Sequence, residues 1–141
     1  MPLLTPDEVL DIAFENPNTM DDSFIRAELI EEHEVGTIKH LLGDDTYTEL
    51  VGGDYAGALD SVEAWLAYEV KAAAIPLLKN VPDGIGVTGE YQANPDAARQ
   101  AIAQARESAR FHMLAAREWL NDNGVDHNID TTSRIAGAII I

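Results

Sequence analysis

The chain contains no cysteine. A disulfide framework, a thiolate metal site and a cysteine nucleophile are therefore excluded, and stability must come from packing alone. No apolar run approaches the roughly 18 residues needed to cross a bilayer. The first residues, "MPLLTPDEVLD", lack the basic start and apolar stretch of a secretory signal. The expectation is a soluble chain, not exported by that route and with no membrane contact. Basic residues are scarce: nine Lys and Arg, only three of them Lys, stand against 25 Asp and Glu, for a formal charge of -16. Binding nucleic acid through its phosphates needs clustered cations, and this balance repels polyanions instead. Two readings of the acidity stay open and are compatible: a wall past which DNA slides without sticking, and adaptation to high salt.

What is present reads as helices with strong punctuation. At 141 residues the chain suits one domain, large enough to bury about two-thirds of the surface its unfolded form exposes. "TPDEVLDIAFENP" opens with Thr5 as N-cap, Pro6 at the first helical position and Glu8 closing a capping box, and it ends before Pro17. A second stretch from about Asp22 to Leu42 has an irregular apolar stripe (Phe24, Ile25, Leu29, Ile30, Ile38, Leu41, Leu42) interrupted near Gly36. Gly43 stops it in a left-handed conformation, and Asp44 or Asp45 caps a brief helix carrying Tyr47 and Leu50.

From about Tyr55 to Lys79, Leu59, Val62, Leu66, Val70, Ala73 and Leu77 follow helical spacing, with Pro76 expected to kink or end the helix. The last helix runs from a cap at Asn94 and Pro95 to about Asn123, where Gly124 stops it. Its seam is Ile102, Ala105, Ala109, Met113, Ala116 and Leu120. "NVPDGIGVTGEYQANPD" between the two long helices exceeds the roughly 2–8 residues of a minimal helix hairpin. Ile85, Val87 and the residues up to Tyr91 read as a small extended or hairpin element. The predicted fold class is all-α: a helical bundle with two long antiparallel helices, a protruding loop or small β-hairpin between them, and an extended C-terminal arm. The helical domain spans 1–124 with the loop at 80–94, and the arm spans 125–141.

The residues that could carry chemistry lack the patterns their mechanisms need. Gly84, Gly86 and Gly89 satisfy G-x-G-x-x-G, but a helix precedes them and "EYQANP" separates them from the next one. The strand–turn–helix that presents a pyrophosphate is missing, so no cofactor is expected. His33, His40, His112 and His127 fit neither HExxH nor the Glu-x-x-His of helical di-iron sites. "EEHE" at Glu31 to Glu34 reads as a solvated acidic face rather than a cation site. Asp126, His127 and Asp130 lack the spacing and bidentate Glu of a calcium loop, so no metal is expected. Ser23, Ser61, Ser108 and Ser133 lack a nucleophile elbow, and no paired carboxylates stand out. Trp65, Tyr68 and Trp119 sit at helical positions as core or interface anchors. No enzyme is indicated.

The closing "RIAGAIII" is the sharpest feature. Two readings are open: a last strand folded back on its own helices, or docking onto another subunit. Ile139, Ile140 and Ile141 are too hydrophobic to favour water and too β-branched to prefer a helix. Burying them is worth about 1.5–3 kcal/mol each, enough to offset the ordering of an arm. The candidate partner interface is Ile85, Val87 and Tyr91 in the loop with Ile135, Ile139, Ile140 and Ile141 in the arm.

The layout of a capped "LLTPDEVLDIAF" helix, then "SFIRAELIEEHEVGTIKHLLGDDTYTELV", a long helix, a loop and a final long helix resembles the head-to-tail connector (adaptor, or head-completion) proteins of tailed viruses. The most specific passage is "IKHLLGDDTYTEL", Ile38 to Leu50. The similarity covers about residues 3–124 and not the arm. It implies a homo-oligomeric ring, usually of twelve subunits, in the neck of the virion between capsid and tail. It implies portal protein and a tail or stopper ring as partners, and genome DNA passing through without specific binding. It implies synthesis in the host cytoplasm and no catalysis. The main alternative is a small acidic DNA-mimic inhibitor of a nucleic-acid enzyme, although mimicry has no need of an apolar tail.

Overall fold

The computed structural model of the chain describes residues 3–14, 25–78 and 95–129, and every regular element among them is helical. The elements are α1 (Pro6–Ala13), α2 (Ala27–His33), a π-helical segment (Glu34–Lys39), α3 (His40–Leu42), α4 (Asp44–Val51), α5 (Ala56–Leu78) and α6 (Pro95–Asp122). The loop at 80–94 and most of the arm, and with them Ile85, Val87, Tyr91, Ile135, Ile139, Ile140 and Ile141, lie outside the described residues.

The start of α1 is set locally. The Thr5 hydroxyl accepts from Glu8 N–H at 3.3 Å while the Glu8 carboxylate accepts from Thr5 N–H at 2.8 Å, with Pro6 leading the first turn. These bonds satisfy amides that have no intrahelical partner. Val9, Leu10 and Ala13 then face inward against α5. At the other end Lys71 Nζ donates to Ala13 O at 2.8 Å and lies 5.0 Å above the Phe14 ring, so a cation from α5 closes the carbonyl end of α1.

Around α5 the rest is assembled. Ala58, Val62, Trp65, Leu66, Ala67, Val70, Ala72, Ala74 and Ile75 are all buried, which leaves little of this helix for solvent. Pro76 lies inside α5, which continues to Leu78, so the proline does not end it. Along α6, Ala105, Ala109, Met113, Ala116 and Leu120 are buried as their spacing predicts, and Ile102 is half-buried. Alanines along this seam let the two axes approach, and the α5–α6 interface is the most extensive among the described elements. Contacts pair early α5 with late α6: Tyr55 meets Trp119 edge-on at 6.2 Å, and Tyr68 stacks on His112 at 5.7 Å.

Gly57 sits against α6, since a Cβ there would collide with the indole of Trp119. Gly57→Ala is expected to cost a net 1–2 kcal/mol, roughly the overpacking penalty less the helix-propensity gain of losing a glycine. Denaturant melting and Trp fluorescence read it; a stabilised variant would mean that the indole has a second seat.

The irregular stripe near Gly36 has a structural cause. Ile30, Glu34, Ile38 and Leu42 recur every four residues, a spacing that drifts about 40° per step in an α-helix. The wider π turn at Glu34–Lys39 removes part of that drift, so all four point inward while Val35 and Gly36 face solvent. Gly43 ends α3 at φ 90° and ψ 151°, a positive-φ conformation with extended ψ rather than the left-handed helical one expected. It also occupies the N-cap position of α4. Neither Asp44 nor Asp45 is therefore the cap; both sit in the first turn, where carboxylates oppose the positive end of the helix dipole.

Candidate interaction surfaces

The described residues converge on one node. Glu34, expected on a solvated acidic face, is 2% exposed. Its Oε1 accepts from Leu3 N–H at 2.8 Å and its Oε2 accepts from the Tyr47 hydroxyl, tying the segment before α1 and helix α4 to the π segment. Lys39 Nζ lies 5.6 Å over the Tyr47 ring. Burial, then the Glu34 hydrogen bond and the charges of Glu34 and Glu31, push the Tyr47 phenol well above its ordinary value.

The other side of the node receives the chain as it leaves α6. Gly124 has φ 69°, and Val125 N–H bonds Leu120 O at 2.9 Å while Gly124 N–H bonds Asn121 O at 3.2 Å. This double closure reverses the chain at the helix end. Residues 125–129, expected to begin an extended arm, instead lie on the body. Thr46 Oγ1 donates to Asp126 O at 2.5 Å, Asn128 N–H donates to Leu41 O at 2.7 Å, and Ile129 is 5% exposed.

His127 latches this segment. Its Nδ1 accepts from Ile129 N–H at 3.1 Å, so Nε2 carries the proton and donates to Asn121 Oδ1 at 2.6 Å. Burial, then the Arg117 charge, hold its pKa below the ordinary histidine value against the opposing pull of Asp126. His112, stacked under Tyr68, is lowered by burial as well. A folded pKa below the unfolded value contributes stability that is present above about pH 6.5 and is lost as pH falls. Acidification from pH 7 to 5 is expected to lower the protection of the Ile129 amide relative to its intrinsic exchange rate, and to lower the urea midpoint. His127→Gln should flatten the pH dependence of that midpoint, whereas an equal slope in the variant would remove the latch.

The outward surface of α6 carries a pattern hidden by the net charge. Arg99, Arg106, Arg110 and Arg117 are spaced by 7, 4 and 7 residues, which at about 100° per residue places them within roughly 20° of one line along the helix. Four of the nine basic residues thus form a single stripe. Arg99 pairs with Asp96, and Arg117 Nε reaches Ile129 O at 3.4 Å. Arg106 and Arg110 are exposed and form no ion pair with any described residue. About 100° around the helix from Arg110, and edge-on to His112 at 5.2 Å, Phe111 is 67% exposed, the most of any large hydrophobic side chain among the described residues. With Gln104, Glu107, Ser108 and His112 it lines an open depression supplied by this one helix.

A second flank is acidic. Glu8 of α1 and Asp60 and Glu63 of α5 lie close enough that burial, then the Glu8 and Asp60 charges, raise the Glu63 carboxyl above its ordinary range. No Lys or Arg among the described residues forms an ion pair with any of the three.

Among the described residues no three His, Asp or Glu side chains group to hold a metal ion, and no helix is long and apolar enough to cross a membrane. Trp65 is fully buried with its Nε1 donating to Glu69 Oε2 at 3.2 Å, while Tyr68 and Trp119 are half-buried at helix seams. Sequence reasoning missed both the arginine stripe and the buried Glu34. The stripe was legible in the spacing of the arginines, but counting total charge conceals distribution. Glu34 carried no local signal. Compared with known proteins, the chain matches no family model, no curated protein and no solved structure.

Proposed function

We propose that this protein is a structural, non-enzymatic component of a tailed-virus particle: a ring-forming connector in the neck between portal and tail. One observation carries the reading. The passage Ile38–Leu50, which resembles the connector family most specifically, is also where both ends of the described chain are fastened. Leu41 O accepts from the Asn128 amide, Asp126 O accepts from the Thr46 hydroxyl, and Tyr47 shares Glu34 with Leu3 N–H. A body that clamps its outgoing segment at Ile129 gives whatever follows a fixed point of departure, as an arm reaching a neighbour requires. In this reading the two long helices run antiparallel. The loop bearing Ile85, Val87 and Tyr91 and the arm bearing Ile135, Ile139, Ile140 and Ile141 meet adjacent subunits, the portal protein or a tail-side ring. The -16 charge lets genome DNA pass without adhering.

Deleting Ile135 to Ile141 is the test. Melting of the isolated subunit is expected to stay within about 0.5 kcal/mol of the full chain while incorporation into particles, read by cryo-electron microscopy, is abolished. A deletion that costs several kcal/mol in the monomer would mean that the isoleucines pack within their own protomer. A full chain never found in particles would remove the connector reading, and tight 1:1 binding to a basic nucleic-acid enzyme would install the DNA-mimic reading instead.

A further inference from the structure

We propose that the arginine stripe and Phe111 of α6 form a docking face for a second copy of this chain, and that the face it meets is the acidic α1–α5 flank of Glu8, Asp60 and Glu63. The inference rests on the ring-forming reading and names the surfaces that would close the ring.

Three observations converge. Arg106 and Arg110 stand about one helical turn apart, exposed and without an ion-pair partner among the described residues, in a chain whose net charge is -16. A cationic patch on so acidic a molecule is the place where another acidic copy can approach without repulsion. Phe111, about 100° around the helix from Arg110 and edge-on to His112 at 5.2 Å, borders the stripe and supplies the apolar contact that exposed ion pairs alone do not. On the receiving side, Glu8, Asp60 and Glu63 crowd like charges together, and an arriving guanidinium relieves that crowding.

The two faces also point apart, as contact between copies requires. Tyr68 stacks on His112 and its hydroxyl donates to Ile12 O at 3.4 Å, which puts α1 on the His112 side of α6. His112 lies about 160° around the helix from Arg110. On the stripe side Arg117 meets Ile129 instead. The positive and negative faces are therefore on opposite flanks of the α5–α6 layer. Different patches meeting head to tail generate a closed ring or an open filament rather than a two-fold dimer.

The experiment is a charge swap followed by sedimentation velocity at low ionic strength up to about 1 mM, with circular dichroism confirming that each variant folds. Arg106→Glu with Arg110→Glu is expected to weaken self-association at least ~100-fold. Asp60→Arg with Glu63→Arg should weaken it comparably. That second pair makes the chain less negative, so general repulsion between acidic molecules predicts the opposite sign. Combining all four substitutions restores the net charge to -16 and is expected to recover association to within about tenfold. A wild-type chain that stays monomeric, a stripe variant that associates as before, or a fourfold variant that fails to recover would each overturn the proposal. So would duplex DNA binding that depends on Arg106 and Arg110 in place of self-association. Particle incorporation decides the connector reading separately: a chain that enters particles while its stripe variant still associates retains the function and loses only this interface.

Discussion

Glu34→Ala is expected to lower the unfolding free energy by about 3 kcal/mol, although Glu34 is one carboxylate among 25 acidic residues. Glu34 is 2% exposed and its two oxygens each hold a separate element, Leu3 N–H at 2.8 Å and the Tyr47 hydroxyl. Hydrogen bonds to a charged acceptor contribute about 1.5–3 kcal/mol each. Relief from burying a carboxylate offsets part of their loss. Alanine leaves two donors without an acceptor and opens space under α4. Glu34→Gln keeps one carbonyl oxygen and the side-chain volume, so about half the loss should return. Urea midpoints of the two variants read the difference, and a loss below about 1 kcal/mol for alanine would mean that water replaces the carboxylate.

Tyr47 provides an independent readout of the same bond. Its folded pKa is raised, by burial first and Glu34 second, so its contribution to stability is present below about pH 10 and is lost as pH rises beyond that value. Removing Glu34 should shift the ultraviolet titration of this phenol back toward the ordinary tyrosine range.

Trp65→Ala is expected to cost about 3–5 kcal/mol. A domain of this length is typically stable by roughly 7–20 kcal/mol, so the change consumes a large share. Trp65 is 0% exposed in the middle of α5, the helix on which α1, α2 and α6 all pack. Ala58, Ala67, Ala74, Ala109 and Ala116 belong to the same core cluster, and such short side chains cannot reach across to refill the volume. Glu69 also loses a donor at 3.2 Å. Trp65→Phe retains most of the apolar area and should cost about 1–2 kcal/mol. Thermal and urea melts of the pair give the comparison, and equal losses for Ala and Phe would place the contribution in the indole N–H rather than in the packing.

The parts that could be read in advance are those whose cause lies within a few residues. Thr5, Pro6 and Glu8 announce the start of α1 because the amides they satisfy are their own neighbours. The α6 seam was readable from a helical period, and its stop from Gly124. The ends of α3 and α5 lay within a residue of the expected Leu42 and Lys79, and only the local detail near each end differed. Gly43 adopts a different positive-φ conformation from the one expected, and Pro76 sits within a helix that continues past it. In the candidate surfaces the arginine spacing was available to any reader of the sequence, whereas its significance depended on knowing that α1 lies on the far flank.

By itself the sequence determined that the chain would be helical, acidic and free of cysteine, because propensity, capping, charge and composition act through bonded neighbours or simple counts. Tertiary structure alone decided that Glu34 would be buried, that α5 would be enclosed, and that residues 125–129 would return to Leu41 and Thr46 rather than extend. Each of those outcomes joins groups far apart in the chain, 31 positions for Leu3 and Glu34 and 87 for Leu41 and Asn128. A polar side chain is indifferent between water and a partner until the fold brings the partner within hydrogen-bonding distance.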